Sequence, residues 1–309
     1  MRIGIVTVTF NSAEVLPDFI SSLQKQTFSD YLLYAVDNAS TDDSCSLLES
    51  EISGAIVIKE AVNVGFAAGT NLGIRRALAD KCEAILLLNN DVVFGPDLFE
   101  KLVDGLTEFE CDMTAPIMYY HQPKDRIWAA GGTLQPLLGF RPIHRGLDKP
   151  DRGQFQAPSR ITFAPFCCVL IRSSVFDRIG FLDEQYFTYA EDADFMVRCL
   201  KADVALWYIP AAQIWHKVSS LTGAVSTFAI RYGARNRAYF ISKHTSRLHR
   251  AVFNVLYPAY YVLRHLFGLD SRQTCRLQLS AWGEGMHILT DRPLDRTESA
   301  REPDELRNG

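Results

Sequence analysis

Paired cysteines are missing from this sequence. Its seven cysteines (Cys45, Cys82, Cys111, Cys167, Cys168, Cys199 and Cys275) are odd in number, and none stands in a CxxC pair. That argues against a disulfide frame or a zinc site and for reduced thiols in a cytoplasmic protein. A basic leader with a cleavage site is also missing, since Met1 and Arg2 run straight into IGIVTVTF, so no signal peptide is expected. The net charge of −4 offers nothing to attract nucleic acid. No Walker-type Lys-Ser/Thr loop occurs and no GxGxxG follows the first hydrophobic segment, which disfavours a dinucleotide oxidoreductase. What is present is 309 residues, 48% hydrophobic and 22% charged. Such a chain is globular and can bury a large core, as one α/β domain with an appendage or as two modest domains.

The first part alternates between two periodicities. IGIVTVTF (3–10), YLLYAVD (31–37), AIVIKE (55–60) and AILLLN (84–89) read as strands, the last apolar enough to be buried on both faces. Helices are predicted over 14–25 and near 69–80, the second after a glycine-rich loop in VGFAAGTNLG. This alternation predicts an α/β fold with a mostly parallel central sheet flanked by helices, in which ligands bind at the carboxyl ends of the strands. Asn11, Asp37, Asn63 and Asp91 all fall at such ends. From about 115 to 165 the pattern becomes irregular and predicts long loops over one face. Order returns in ITFAPFCCVLIR (161–172) and WYIPAAQIWH (207–216), with a helix starting near Glu191 between them.

Charge then shifts. Residues 231–276 carry nine Lys/Arg against one acid, Asp270. Inside this block AVFNVLYPAYYVLRHLFGL (251–269) has apolar residues at helical spacing, interrupted by Pro258 and Arg264. At 19 residues it is marginal for crossing a bilayer. A basic amphipathic helix lying on a membrane surface through 247–276 fits this pattern. The alternative is a helix packed on the catalytic domain with its basic residues in water. The expected division is therefore 1–225 for the main domain, 226–290 for a helical C-terminal region and 291–309 for a polar tail.

Several polar groups suit particular chemistry. A carboxylate at Asp37 can accept hydrogen bonds from a pyrimidine N–H or from ribose hydroxyls, whereas Ser40 and Asp42 in the same turn suit an Asx-turn and helix capping. Gly65 and Gly69 allow close backbone approach, and the helix start near Thr70 favours anions. LLLNNDVVF (86–94) is either a plain strand-end turn or the edge of a metal site in which Asp91 supplies the charge. Glu191, Asp192 and Asp194 crowd a helix start. Carboxylates so close raise at least one pKa, as a general base requires, although charge–dipole stabilisation alone would also place them there.

Six segments, TVTFN (7–11), VDNASTDDS (36–44), NVGFAAGTNLG (63–73), LLNNDV (87–92), DEQYFTYAEDADF (183–195) and IWH (214–216), occur in the order and spacing of family 2 glycosyltransferases. The chain resembles this family over about 1–240, most of all its bacterial rhamnosyltransferase-like and galactofuranosyltransferase-like members. The resemblance implies a GT-A fold. It also implies an inverting transfer from a nucleoside-diphosphate sugar, with dTDP-rhamnose the first expectation and a UDP-sugar the second. The acceptor would be a hydroxyl of a bacterial surface glycan, lipid-linked and reached at the inner face of the cytoplasmic membrane.

Residue by residue, the resemblance implies that Asp192 is the base, with Glu191 supporting the site or touching the acceptor. Thr9, Asn11, Asp37, Asn63, Gly65, Asn71 and Asn90 fall on the nucleotide side, and Arg235 near the donor diphosphate. Asp91, His216 and Asn89 fall on a Mg²⁺ or Mn²⁺ ion, Asn89 standing where the family has a carboxylate. Asp194 reads as structural. Phe166 replaces a family glycine near the acceptor site, and Asp203 occupies a turn usually held by glycine. Two other readings are a sugar nucleotidyltransferase and a non-catalytic partner that keeps the fold. The first would want a Gly-rich basic loop after the first strand, which TVTFNSAEV is not.

Overall fold

The computed structural model describes residues 1–217 and 226–288. Strands β1 (Ile3–Thr9), β2 (Tyr31–Asp37), β3 (Ile56–Lys59) and β4 (Ala84–Leu88) alternate with helices α1 (Leu16–Gln24), α2 (Ser44–Glu51) and α3 (Phe66–Ala79). Then come β5 (Val92–Phe94), α4 (Leu98–Glu108), β6 (Met113–Tyr120), β7 (Ile127–Ala129), β8 (Gly132–Gln135), β9 (Arg141–His144), β10 (Ser159–Ile161) and β11 (Cys168–Arg172). The remainder is α5 (Ser173–Ile179), α6 (Glu191–Lys201), β12 (Leu206–His216), α7 (Thr227–His244), α8 (Arg247–Leu266) and α9 (Arg272–His287).

The main sheet runs β10-β12-β6-β11-β4-β1-β2-β3. Strands β1 to β4 pair in parallel, β11 is antiparallel to both β4 and β6, and β12 is parallel to β6. Two reversals at β11 restore direction, so six strands of this path point the same way and only β10 and β11 oppose them. The mostly parallel sheet expected from the alternation is present. Its strands are apolar on both faces because helices cover both, and Ile5, Leu86, Leu87, Val169 and Leu170 are buried.

Three elements differ from the sequence expectation. Helix α3 starts at Phe66, not near 69, because Gly65 at φ +88 makes the turn alone and the alanines after it are good helix formers. The region 115–165 is not mainly loop: β6 continues to Tyr120, and β8 and β9 form a separate hairpin. Pro258 lies inside α8 without ending it. Next to it, Tyr257 stacks on Trp282 of α9 at 4.5 Å between ring centres. The division expected at 225 lies beside residues 218–225, and those residues, with the polar tail 291–309, lie outside the described residues.

Candidate active site

The carboxyl ends of β1, β2 and β4 converge. Asn11, at φ +48 directly after β1, accepts from the Thr41 N–H at 2.8 Å, while its own N–H donates to Ser40 Oγ at 2.9 Å. The loops after β1 and β2 are thus tied together, and Ser40 takes the turn role expected of it. Asp37, the last residue of β2, is buried and accepts from the Ser40 N–H at 3.2 Å. Asp42 accepts from the Ala13 and Ser44 N–H groups, in keeping with its turn reading. Thr9 accepts from Asn90 Nδ2 at 3.1 Å, which links the ends of β1 and β4.

The Asn63–Gly65 loop closes on itself, the Gly65 N–H donating to Asn63 Oδ1 at 2.9 Å. A Cβ on Gly65 would come within 2.6 Å of the Phe187 ring. The first N–H groups of α3 do not await an anion. Phe66 and Ala67 donate to the Phe187 carbonyl at 2.6 and 3.2 Å, so the anion preference read at Thr70 is met by a protein dipole one turn earlier. Asn71 is engaged in the same direction: its amide bridges the Leu182 backbone at both N–H and C=O and reaches Glu184. In this structure Asn71 positions the 182–187 segment, with both ends of its amide occupied by protein.

Strand register explains the meeting of Asp91 and His216. β5 pairs antiparallel with the end of β12, with Val92 opposite His216, and the Lys217 N–H donates to the Asp91 carbonyl. Asp91 Oδ1 therefore faces His216 Nε2 at 3.2 Å. The edge of Trp128 packs on the imidazole at 4.7 Å, and His216 Nδ1 is buried with no hydrogen-bond partner among the described residues. Asn89 stands two residues before Asp91, its N–H on the Cys167 carbonyl. No group of three or more His, Cys, Asp or Glu side chains placed to hold a metal occurs among the described residues.

Glu191 and Asp192 open α6 and are preceded by a strained turn. Phe187, Tyr189 and Ala190 all have positive φ, which costs non-glycine residues free energy and persists only when the surroundings enforce it. Asn236 of α7 does so, donating through Nδ2 to the carbonyls of Tyr186, Thr188 and Tyr189 at 2.8, 2.6 and 2.8 Å. Burial, together with repulsion from Asp192, pushes the Glu191 carboxyl up to about 8, and burial pushes Asp192 up to about 6. Glu191 Oε2 has no hydrogen-bond partner among the described residues. Both carboxyls therefore stay protonated to higher pH than free carboxylic acids, and the two titrate as an interacting pair. Both Asp91 and Asp192 act on the buried Cys167 thiol, which its burial first of all raises far above its ordinary value.

Asp194 contrasts with its neighbours. Burial alone would raise its carboxyl, but a 2.7 Å hydrogen bond from His244 and the charges of Lys243 and Arg198 hold it well below the usual carboxylate range. It is a structural anion, as its position suggested. Arg235 also serves structure: it pairs with Glu284 of α9 at 3.0 Å and donates to the Gln185 carbonyl at 2.8 Å and to Asn236 Oδ1 at 2.7 Å. Its guanidinium braces the loop that carries Glu191 and Asp192.

Beside this loop lies a cavity of about 790 Å³ between the β8–β9 hairpin and helices α7 and α8, with Asp192 on its wall. Apart from Asp192, its residues were not singled out as a site in the sequence. They are contributed by four separate elements, and only the aromatic spacing Phe253, Tyr257, Tyr260 along α8 gave a signal.

The fold is that of a GT-A glycosyltransferase. The chain belongs to Glycosyl transferase family 2, whose profile matches residues 4–180. Over 303 residues it is 23% identical to the N-acetylglucosaminyl-diphospho-decaprenol L-rhamnosyltransferase of Mycobacterium tuberculosis, an alignment covering 92% of this chain and 98% of that one. In structure it is similar to residues 1–349 of TarS from S. aureus, with a TM-score of 0.58, 16% identity and coverage of 93% and 80% of the two chains. It is also similar to the mannosyltransferase PcManGT from Pyrobaculum calidifontis, solved with GDP-Man and Mn²⁺, with a TM-score of 0.55, 13% identity and coverage of 96% and 78%.

Proposed function

We propose that the protein is an inverting, metal-dependent transferase moving a sugar from a nucleoside-diphosphate sugar to a hydroxyl of a bacterial surface-glycan acceptor. dTDP-rhamnose is the first candidate donor, supported by the rhamnosyltransferase relative, and a UDP-sugar the second. The observation that carries this reading is the Glu191–Asp192 pair: two adjacent carboxyls whose pKa values are both raised, of which Asp192 lies on the wall of a cavity that can admit an acceptor. Asp192, ionised near neutral pH, takes the proton of the acceptor hydroxyl as that oxygen attacks the anomeric carbon, and the nucleoside diphosphate leaves from the opposite face. The base is recovered when the proton passes to solvent.

Thr9, Asn11, Asp37, Asn63, Gly65 and Asn90 would line the donor's nucleotide, placed as they are at the carboxyl ends of β1, β2 and β4 and in the loop between β3 and α3. The donor set at Asp91 and His216, a carboxylate oxygen and an imidazole nitrogen 3.2 Å apart, is of the chemical kind that Mg²⁺ or Mn²⁺ takes. Asp91, His216 and the Asn89 amide would hold the ion, with substrate phosphate oxygens and water completing its shell. When bound, it neutralises charge on the departing diphosphate.

No described helix is long and apolar enough to cross a membrane. A cytoplasmic protein resting on the membrane through 247–276 is supported by the exposed Leu248, Val255, Leu266 and Phe267 beside Arg247 and Arg250.

The experiment is a thermal-shift screen of nucleotide-sugars with Mn²⁺, followed by transfer or donor hydrolysis with and without EDTA. Stabilisation by a specific donor, and its turnover lost in Asp192→Asn, is the expected outcome. A metal-replete protein that binds no nucleotide, with Asp192→Asn behaving like wild type, would overturn the enzyme reading in favour of a non-catalytic partner.

A further inference from the structure

The 790 Å³ cavity is not the donor pocket. Asp192 lies on its wall, but Asp37, Asn63, Asp91 and His216 do not. It is a second chamber adjoining the base, and its chemistry is uneven. Arg141 of β9 and Arg237 of α7 both line it, and neither has a carboxylate partner among the described residues. Arg237 is steadied instead by the Leu138 carbonyl at 2.9 Å and by the rings of Phe240 and Phe253. Asp192 is the one acidic group on the wall among the described residues. Two uncompensated guanidiniums suit a phosphate or diphosphate, which they can bind in bidentate fashion.

The rest of the chamber is apolar and leads outward. Phe253, Leu256, Tyr257 and Tyr260 lie on successive turns of one side of α8. Leu256 is 56% and Tyr260 52% exposed, so this wall emerges at the surface. There it meets Val252, Val255, Leu263 and Leu266, all exposed on the adjoining face of the same helix. Soluble proteins seldom leave so continuous an apolar strip uncovered. Charge and apolar surface therefore follow in order: the base, then two cations, then an aromatic wall, then exposed aliphatic side chains.

We infer that this chamber holds an amphiphilic acceptor, its phosphate groups between Arg141 and Arg237 and its hydrocarbon chain leaving along Phe253, Leu256 and Tyr260 of α8. The inference rests on the transferase reading for the role of Asp192. It adds a second built site, for a lipid-linked phosphate, whose occupant need not be a nucleotide. It also gives α8 two duties, since Tyr257 both lines the chamber and stacks on Trp282 of α9, while the neighbouring Leu256 and Tyr260 would meet lipid.

The probe is farnesyl diphosphate, titrated into the full chain and followed by tryptophan fluorescence, since Trp282 stacks on a wall residue. Farnesol and inorganic pyrophosphate serve as half-ligands. Farnesyl diphosphate should bind at least about tenfold more tightly than either half, and an excess of UDP or dTDP should not displace it. Arg141→Glu, an exposed change, and Leu256→Asp should each weaken it about tenfold or more, with the unfolding midpoint of the ligand-free variants as the check on fold. Pyrophosphate binding as tightly as farnesyl diphosphate, displacement by a nucleoside diphosphate, or unchanged affinity in both variants would overturn the inference. A parallel titration of UDP and dTDP with Mn²⁺ separates the two readings. If nucleotides bind and farnesyl diphosphate does not, the chamber assignment fails alone; if nucleotides do not bind, the transferase reading fails first.

Discussion

Asn236 Nδ2 lies 2.8 Å from the carbonyl of Tyr189, and the same amide reaches the carbonyls of Tyr186 and Thr188. One side chain of α7 thus fixes the three-residue turn that aims Glu191 and Asp192. Replacing it by Asp keeps the size and removes the donors. Asn236→Asp should lower kcat roughly 10- to 100-fold while leaving the affinity for donor nucleotide nearly unchanged, because misplacing a reacting group is costly even over small distances. Stability should fall as well, by about 1–3 kcal/mol, since the two N–H donors shared among these carbonyls are lost. Steady-state kinetics beside nucleotide titration would decide; an unaltered kcat removes the positioning role.

The rate of transfer should titrate with the carboxyl pair. Asp192 must be ionised to accept a proton, and its pKa is raised by burial to about 6. The value of kcat/KM should therefore rise with pH through about 6 and level off above it, instead of levelling off near the ordinary carboxylate range. Asp192→Asn should cost roughly 10²–10⁴-fold in kcat. A profile already flat from pH 4.5 upward would show that no raised carboxyl limits the reaction.

Glu191 links the site to stability. Its carboxyl is raised in the folded state to about 8, well above its value in an unfolded chain. The folded protein therefore binds the proton more tightly, and this contribution is complete below about pH 4.5 and is lost as pH rises to about 8. Glu191→Gln imitates the protonated form. Relative to wild type it should gain stability progressively between pH 5 and 8.5 in denaturant titrations. A stability difference that does not change over that range would mean the carboxyl titrates normally.

Asn89 offers a direct test of the metal proposal. Adding a carboxylate two residues before Asp91 should tighten Mn²⁺ binding if that side chain faces the ion. Isothermal titration of Asn89→Asp against wild type measures this, with Asp91→Asn as the variant that should bind poorly. Equal affinity in wild type and Asn89→Asp would leave Asp91 and His216 holding the ion without residue 89.

Much of the strand framework was legible because buried parallel strands have an unmistakable composition. AILLL can lie nowhere but the centre of a sheet, and Asp37 and Asp91 follow from where such strands stop. Contacts created by distant register were harder to read. That β5 would pair with β12 and set His216 against Asp91 depended on a long crossover, and only the family resemblance indicated it. Arg235 and Asn71 were placed on the donor side by the family resemblance. Their contacts to Leu182, Glu184 and Gln185 could not be read from residue type. The strain itself was invisible, since Tyr189 and Ala190 are not residues that announce a left-handed backbone. The chamber under α8 could not be read at all, as its walls come from residues scattered between 141 and 261.

Gly285 shows how closely α9 is packed on α7: a Cβ there would overlap the Arg235 carbonyl, and α7 in turn holds the catalytic loop through Arg235 and Asn236. The helices after residue 226 consequently cannot be treated as a detachable tag. A protein trimmed to the strand-rich part would retain every proposed donor-side ligand, and also Asp192, yet it would lack the Asn236 amide and the Arg235 guanidinium that brace the loop carrying the base. Engineers seeking a minimal enzyme, or exchanging acceptor preference by grafting another C-terminus, would be altering the catalytic machinery and the substrate entrance in one stroke.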